Sequence, residues 1–247
     1  MHHFFVNPEA VKSEIITITG TDVNHIKNVL RMKSGEQILL SDGQGQDFCC
    51  EIESLTEQEI IARIKDKTFE GTELSGKFYL FQGLPKGDKM EFIIQKAVEL
   101  GVTEVIPVHT RRTIVKLDAK KEEKRLERWK AISESAAKQS RRGIIPQITH
   151  VMNFSEALKY AESLDINIIP YENFKDMTET KRVLDKIAPN IRAGIFIGPE
   201  GGFEESEIEL AMQQGVNPIS LGRRILRTET AGMAILSVLM FQLENVK

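Results

Sequence analysis

Several things are scarce in this sequence, and each scarcity excludes something. Only two of its 247 residues are cysteine. They are the neighbours Cys49 and Cys50, which in a strand point to opposite faces, so the disulfide framework of a small secreted domain is excluded. Of the five histidines, His25, His109 and His150 stand alone, and the pair His2-His3 reads as ordinary polar sequence. None has the paired spacing of a zinc site, and no metal is expected. No apolar run reaches the roughly 20 residues that a membrane-spanning helix needs, so no membrane partner is expected. Met1 to Pro8 has neither a basic flank nor a long apolar core, which speaks against a secretory signal and for a cytoplasmic protein.

What is present fits a globular chain. The residues are 41% hydrophobic and 28% charged, and a chain of this size buries roughly 70% of its unfolded surface without staples. One large domain or two modest ones would both suit the length.

The net charge of −3 hides an uneven distribution. Residues 111–142 hold 12 Lys and Arg against 5 Asp and Glu, an excess of +7, while residues 1–70 carry −5 and residues 143–247 carry −4. Such a patch reads either as a solvated helix face or as a surface for phosphate backbones, which respond to local charge. Lys120 to Lys130 alternate with Glu122, Glu123 and Glu127 and look like surface helix pairs. The flanking Arg111, Arg112, Arg141 and Arg142 are the better nucleic-acid candidates.

The hydrophobic pattern changes character along the chain. Before residue 70 it gives short strands at Phe4–Val6, Ile15–Thr19, Glu36–Ser41, Asp47–Leu55 and Glu59–Lys67, with one helix from about Asp22 to Met32. A small β-barrel domain over 1–70 is expected, followed by a linker at 71–76. From 77 to 247 strands and helices alternate, ending in an apolar helix from Thr228 to about Leu243. That pattern predicts an α/β domain with a mainly parallel sheet covered on both faces.

Two loops in this second part each follow a strand and precede a helix. Ile197-Gly198-Pro199-Glu200-Gly201-Gly202-Phe203 has three glycines around one proline, which lets backbone approach a ligand closely; a tight structural turn is the plain alternative. The spacing is neither a Walker loop nor Gly-x-Gly-x-x-Gly, which disfavours nucleoside triphosphates and dinucleotides. The second loop runs from Leu221-Gly222-Arg223-Arg224-Ile225-Leu226 into Arg227-Thr228-Glu229. Thr228 is the expected cap of the last helix. Three arginines beside a glutamate just before a buried helix are hard to justify by packing.

At these residues the chain resembles a known family. Gly198-Pro199-Glu200-Gly201-Gly202, followed about twenty residues later by Leu221-Gly222 and Leu226-Arg227-Thr228-Glu229-Thr230-Ala231, is similar to the C-terminal signature of the ribosomal RNA small subunit methyltransferase E family, of the SPOUT class. The resemblance covers nearly the whole chain: Phe4-Phe5-Val6, His25, Val29-Leu30-Arg31-Met32-Lys33, Gly35 and Asp42-Gly43 resemble its PUA-like domain. Lys86, Lys89, Lys96 to Val102, Arg111-Arg112, Gln139-Ser140, Arg142 and Pro146 resemble its middle. Arg223 and Arg224 carry less of the likeness than Arg227.

The resemblance implies a PUA-like β-barrel followed by a SPOUT α/β domain with a C-terminal deep trefoil knot. It implies methylation of uridine N3 in the decoding region of 16S rRNA on the small ribosomal subunit, with S-adenosylmethionine as cofactor, by a homodimer. Carried onto this sequence, cofactor contacts fall on Tyr171, Glu172, Ile197, Gly198, Pro199, Glu200, Gly201, Gly202, Leu221, Gly222, Ile225, Leu226 and Thr228. Glu200 would offset the sulfonium charge or else cap the helix starting near Glu204. Arg227 is the candidate for stabilising charge on the base, and Glu229 would orient Arg227, accept the proton, or simply serve as a first-turn carboxylate. RNA contacts would come from Arg31, Lys33, Arg111, Arg112, Arg141 and Arg142. Two alternatives stay open: a related enzyme acting on a ribose 2′-hydroxyl, and a non-catalytic RNA-binding ribosome-assembly protein.

Overall fold

A computed structural model describes residues 1–67, 71–115 and 118–244. Residues 68–70, the end of the expected barrel domain, lie outside the described residues. The chain divides into two units, Met1–Glu73 with Ala137–Ile145, and Leu74–Ala136 with Pro146–Lys247.

In the first unit the strands are β1 (His2–Phe5), β2 (Val11–Lys12), β3 (Ile15–Thr19), β4 (Gln37–Ser41), β5 (Asp47–Leu55) and β6 (Glu59–Asp66), in spatial order β1-β4-β5-β6-β3-β2. Only β1 and β4 run parallel. Alternating residues of the strands, among them Phe4, Ile18, Leu40, Ile52 and Ile60, join Val23 and Ile26 in one core. Both halves of the sheet thus share one buried face, as in a partial barrel. The β4–β5 turn follows from its residues: Asp42 accepts from the backbone N–H groups of Gln44 and Gln46 at 2.8 and 3.0 Å, and Gly43 and Gly45 take positive φ. The expected helix at 22–32 is shorter than its apolar spacing suggests. One α-turn, α1 (Thr21–Asn24), passes into a π-turn at His25–Val29, and the chain breaks away where Arg31 adopts φ 56°.

The second unit holds β7 (Lys77–Gly83), α2 (Lys89–Glu99), β8 (Val102–His109), α3 (Ala119–Ser140, its end in the first unit), β9 (Gln147–Ile148), β10 (Met152–Asn153), α4 (Phe154–Ala161), β11 (Ile166–Pro170), α5 (Met177–Leu184), β12 (Arg192–Ile197), α6 (Glu205–Gln213), β13 (Asn217–Ile219) and α7 (Thr228–Leu243). Its sheet has order β10-β8-β7-β12-β11-β13 with β9 also on β8, and every pair is parallel. After β9 the chain leaves the sheet until β10, and the N–H of Val151 between them donates to Glu122 Oε1 at 3.0 Å. β7 and β12 are apolar on both faces, as a strand covered by helices on two sides must be. Phe81 and Phe196 stack at 4.3 Å between ring centroids in the core, where each buried ring contributes roughly 1.5–3 kcal/mol. Among the described residues no helix is long and apolar enough to cross a membrane.

Candidate active site

Parallel strands deliver their carboxyl ends to one edge of the sheet, where α/β proteins bind ligands. Here the loops that leave β11, β12 and β13 at that edge surround a pocket of about 230 Å³. Tyr171, Glu172, Ile197, Gly198, Pro199, Glu200, Gly201, Gly202, Leu221, Gly222, Ile225, Leu226 and Thr228 all line it, together with Arg223 and Arg224. Glycine is required at specific points. A Cβ on Gly83 at the end of β7 would lie 2.6 Å from Pro199 Cδ, and one on Gly198 would lie 2.9 Å from the carbonyl carbon of Gly202. Gly202 itself sits at φ 69° and donates its N–H to Pro199 O at 2.9 Å, closing the loop on itself.

Thr228 does not cap α7. Arg227 occupies the cap position with extended backbone, and its side chain makes no cap bond. Thr228 begins the helix proper, buried, and its hydroxyl donates to the carbonyl of Gly198 at 2.6 Å while accepting from Gln82 Nε2 at 2.9 Å. The threonine is thus spent on tying the second loop to the first. Gln82, fully buried at the end of β7, was not marked by any motif; a lone glutamine in an otherwise apolar strand is the signal that could have found it.

Glu200 and Glu229 both face the start of α2. Glu200 accepts from the backbone N–H of Lys86 at 3.2 and 3.3 Å and pairs with Lys89 Nζ at 2.9 Å. It therefore does not cap the following helix: α6 starts from Glu204, whose N–H donates to Glu207 Oε2 at 2.9 Å. Burial alone would raise the Glu200 carboxyl, but the hydrogen bonds from Lys89 and from the backbone of Glu200 and Lys86 outweigh it and hold the group below its ordinary value. Lys89 also stands 3.6 Å from Glu229 Oε2, an oxygen that is buried without a hydrogen bond. Glu229 thus faces Lys89, and no bond joins it to Arg227 among the described residues. The exposed Arg227 guanidinium makes no hydrogen bond or ion pair to any described residue.

This geometry belongs to a chain with clear relatives. The family described as RNA methyltransferase domain matches residues 72–240, and that described as RNA methyltransferase PUA domain matches residues 18–65. The ribosomal RNA small subunit methyltransferase E of Bacillus subtilis is 38% identical over 256 aligned residues, covering 100% of this chain and 99% of its own. The chain belongs to the ribosomal RNA small subunit methyltransferase E family. The protein of that name from Mesomycoplasma hyopneumoniae is 34% identical, covering 96% of this chain and 98% of its own. A crystal structure of the Neisseria gonorrhoeae protein of that name, bound to S-adenosyl methionine, superposes with a TM-score of 0.83 at 32% identity and covers 98% of both chains.

The six residues expected to meet RNA have different surroundings. Arg31, Lys33 and Arg141 are exposed. Arg142 is only 4% exposed, and its guanidinium grips Glu73 through Nε–Oε1 at 3.2 Å and Nη2–Oε2 at 2.5 Å, so burial and pairing take it out of the RNA set. Arg111 reaches Glu204 Oε2 at 3.3 Å with its side chain and Glu207 Oε1 at 2.9 Å with its N–H. Arg112 donates to the carbonyl of Gly201 at 2.7 Å. No group of three or more His, Cys, Asp or Glu among the described residues is placed to hold a metal ion.

Proposed function

We propose that the protein transfers a methyl group from S-adenosylmethionine to N3 of a uridine in 16S ribosomal RNA. One observation carries the reading. Three loops close on a single pocket, and an arginine with no partner among the described residues, Arg227, stands between two residues that line it, Leu226 and Thr228. The pocket suits this cofactor by its own chemistry. Four of its lining residues, Gly198, Gly201, Gly202 and Gly222, bring backbone donors and acceptors close to an adenine, and the Glu200 carboxylate complements a sulfonium. Bound there, S-adenosylmethionine supplies an electrophilic methyl group.

The chain's own residues then have two tasks. The first is alignment, since methyl transfer is an in-line displacement and positioning supplies much of its acceleration. The loops tied by Thr228 hold one partner, while Arg31, Lys33, Arg111 and Arg141 guide the RNA by backbone and shape. The second task is charge. Uracil N3 is a weakly acidic imide that attacks well only as it loses its proton, and Arg227 stabilises the negative charge that spreads to the flanking base oxygen. Glu229, two residues along α7 from Arg227, accepts that proton. A paired uridine must first be exposed, because its N3 lies inside the base pair. The outward face of α7 presents Val238 and Phe241, 50% and 82% exposed, an apolar surface suited to a second copy in a cytoplasmic homodimer.

Small subunits lacking the modification, incubated with wild type or Arg227→Ala and followed by nucleoside analysis, test the proposal. Base-methylated uridine is expected from wild type, with turnover lower by about 100-fold or more in the variant. A methylated ribose would overturn the N3 assignment, and unchanged turnover would remove Arg227 from the mechanism. Absence of S-adenosylmethionine binding in calorimetry would instead support a non-catalytic assembly protein.

A further inference from the structure

We propose that Arg112 is a positioning residue for the cofactor loop, acting before any RNA arrives. The inference rests on the cofactor reading above and adds a residue whose charge and place in the basic stretch point only to nucleic acid.

The loop has one weak joint. The Gly201–Gly202 peptide has glycine on both sides, so no Cβ opposes rotation of that peptide plane about its flanking bonds. Both of its polar ends are nevertheless held. The N–H of Gly202 donates to Pro199 O at 2.9 Å, and the carbonyl of Gly201, which a trans peptide points the other way, accepts from Arg112 Nη1 at 2.7 Å. The arginine also lies flat against the loop: a Cβ on Gly201 would meet Arg112 Cβ at 3.4 Å and Cδ at 3.5 Å. The charged donor makes this the stronger of the two bonds on the plane.

The turn that carries Arg112 is itself built to stay still. Thr110 is buried; its N–H donates to Thr113 Oγ1 at 3.0 Å, and the N–H of Thr113 returns to Thr110 O at 3.0 Å. Between them the N–H of Arg111 donates to Glu207 Oε1 at 2.9 Å. Glu207 is 4% exposed, and its other oxygen accepts from the N–H of Glu204 at 2.9 Å. The loop after β8 is therefore anchored to the start of α6, and Arg112 reaches from that anchor to the pocket-lining glycine. Lys89 and Lys86 hold the same loop at Glu200. Gripped at two neighbouring residues, its backbone presents the pocket with a preformed set of donors and acceptors, which lowers the ordering cost of binding.

The test is calorimetric titration of the full-length protein with S-adenosylmethionine in the absence of RNA. Arg112→Met keeps the aliphatic stem against Gly201 and removes the donor; Arg112→Lys returns a donor; Lys121→Ala, on an exposed pair in α3, controls for loss of one positive charge. The expected result is a dissociation constant about five- to tenfold weaker for Arg112→Met, partial recovery for Arg112→Lys, and the wild-type value for Lys121→Ala, all with unchanged melting temperature. Wild-type cofactor affinity in Arg112→Met would overturn the proposal and leave Arg112 as an RNA contact. Equal weakening by Lys121→Ala would overturn it too, by assigning the effect to overall charge. If wild type itself fails to bind, the fault lies with the cofactor reading and not with Arg112.

Discussion

The hydroxyl of Thr228 donates to the carbonyl of Gly198 across 2.6 Å, joining the first residue of the last helix to the first residue of the glycine loop. The same oxygen accepts from Gln82. One side chain therefore ties the end of β7, the residue after β12 and the start of α7 together at the pocket wall.

Thr228→Val preserves shape and removes both bonds, leaving a buried carbonyl and a buried amide short of a partner. A loss of about 1–3 kcal/mol of stability is expected in urea denaturation, together with weaker cofactor binding. Thr228→Ser keeps the hydroxyl and should stay near wild type in both measurements. A stable valine variant with normal affinity would show that the tie is dispensable.

Glu200 gives a pH dependence whose sign can be worked out. Its carboxyl is held below the ordinary value because the hydrogen bonds from Lys89 and the backbone outweigh burial. A depressed carboxylate contributes stability that is fully present above its unfolded pKa and is lost as pH falls through the folded value. Thermal stability measured between neutral and strongly acid pH should therefore carry a contribution that Glu200→Gln removes. Lys89→Met, which takes away the leading stabiliser of the charge, should move the loss to higher pH. A profile identical in all three proteins would refute the assignment.

Arg142 should behave as a structural residue. Arg142 is buried while Glu73 is half-buried and also accepts from the N–H of Ile144, so Arg142→Ala should cost about 1–3 kcal/mol in denaturant unfolding through the lost charged hydrogen bonds. Arg141→Ala, at an exposed position, should leave stability alone and reduce the slope of log affinity for RNA against log salt by about one. Equal effects of the two variants on stability would contradict this division of labour.

Much of the fold was legible because local rules and tertiary structure agree. Alternation in β5 and β6, the turn at Asp42-Gly43, the apolar stripe of α2 and the continuous apolar run of α7 each answer to a short-range pattern or a single backbone requirement. The glycine loop was visible for the same reason: a Cβ would clash at Gly198, and glycine takes the positive φ of Gly202 at least cost. The reading slipped at the helix after Thr21, which passes into a π-turn closed by its own backbone bonds. Thr228 looked like a cap because caps are local, yet its partners lie 30 and 146 residues away.

The sequence by itself determined the order of the elements, the change from a strand-rich to an alternating pattern, the basic stretch at 111–142 and the two loops that line the pocket. Only the tertiary structure decided what the charged and polar residues there do. Arg142, equal to its neighbour in composition, is buried against Glu73, while Arg141 beside it faces solvent. Arg112 meets a glycine carbonyl 89 residues along the chain. The physical reason is that periodicity reports which face of an element is apolar, whereas the partner of a charge is fixed by which loops the sheet brings to the same edge.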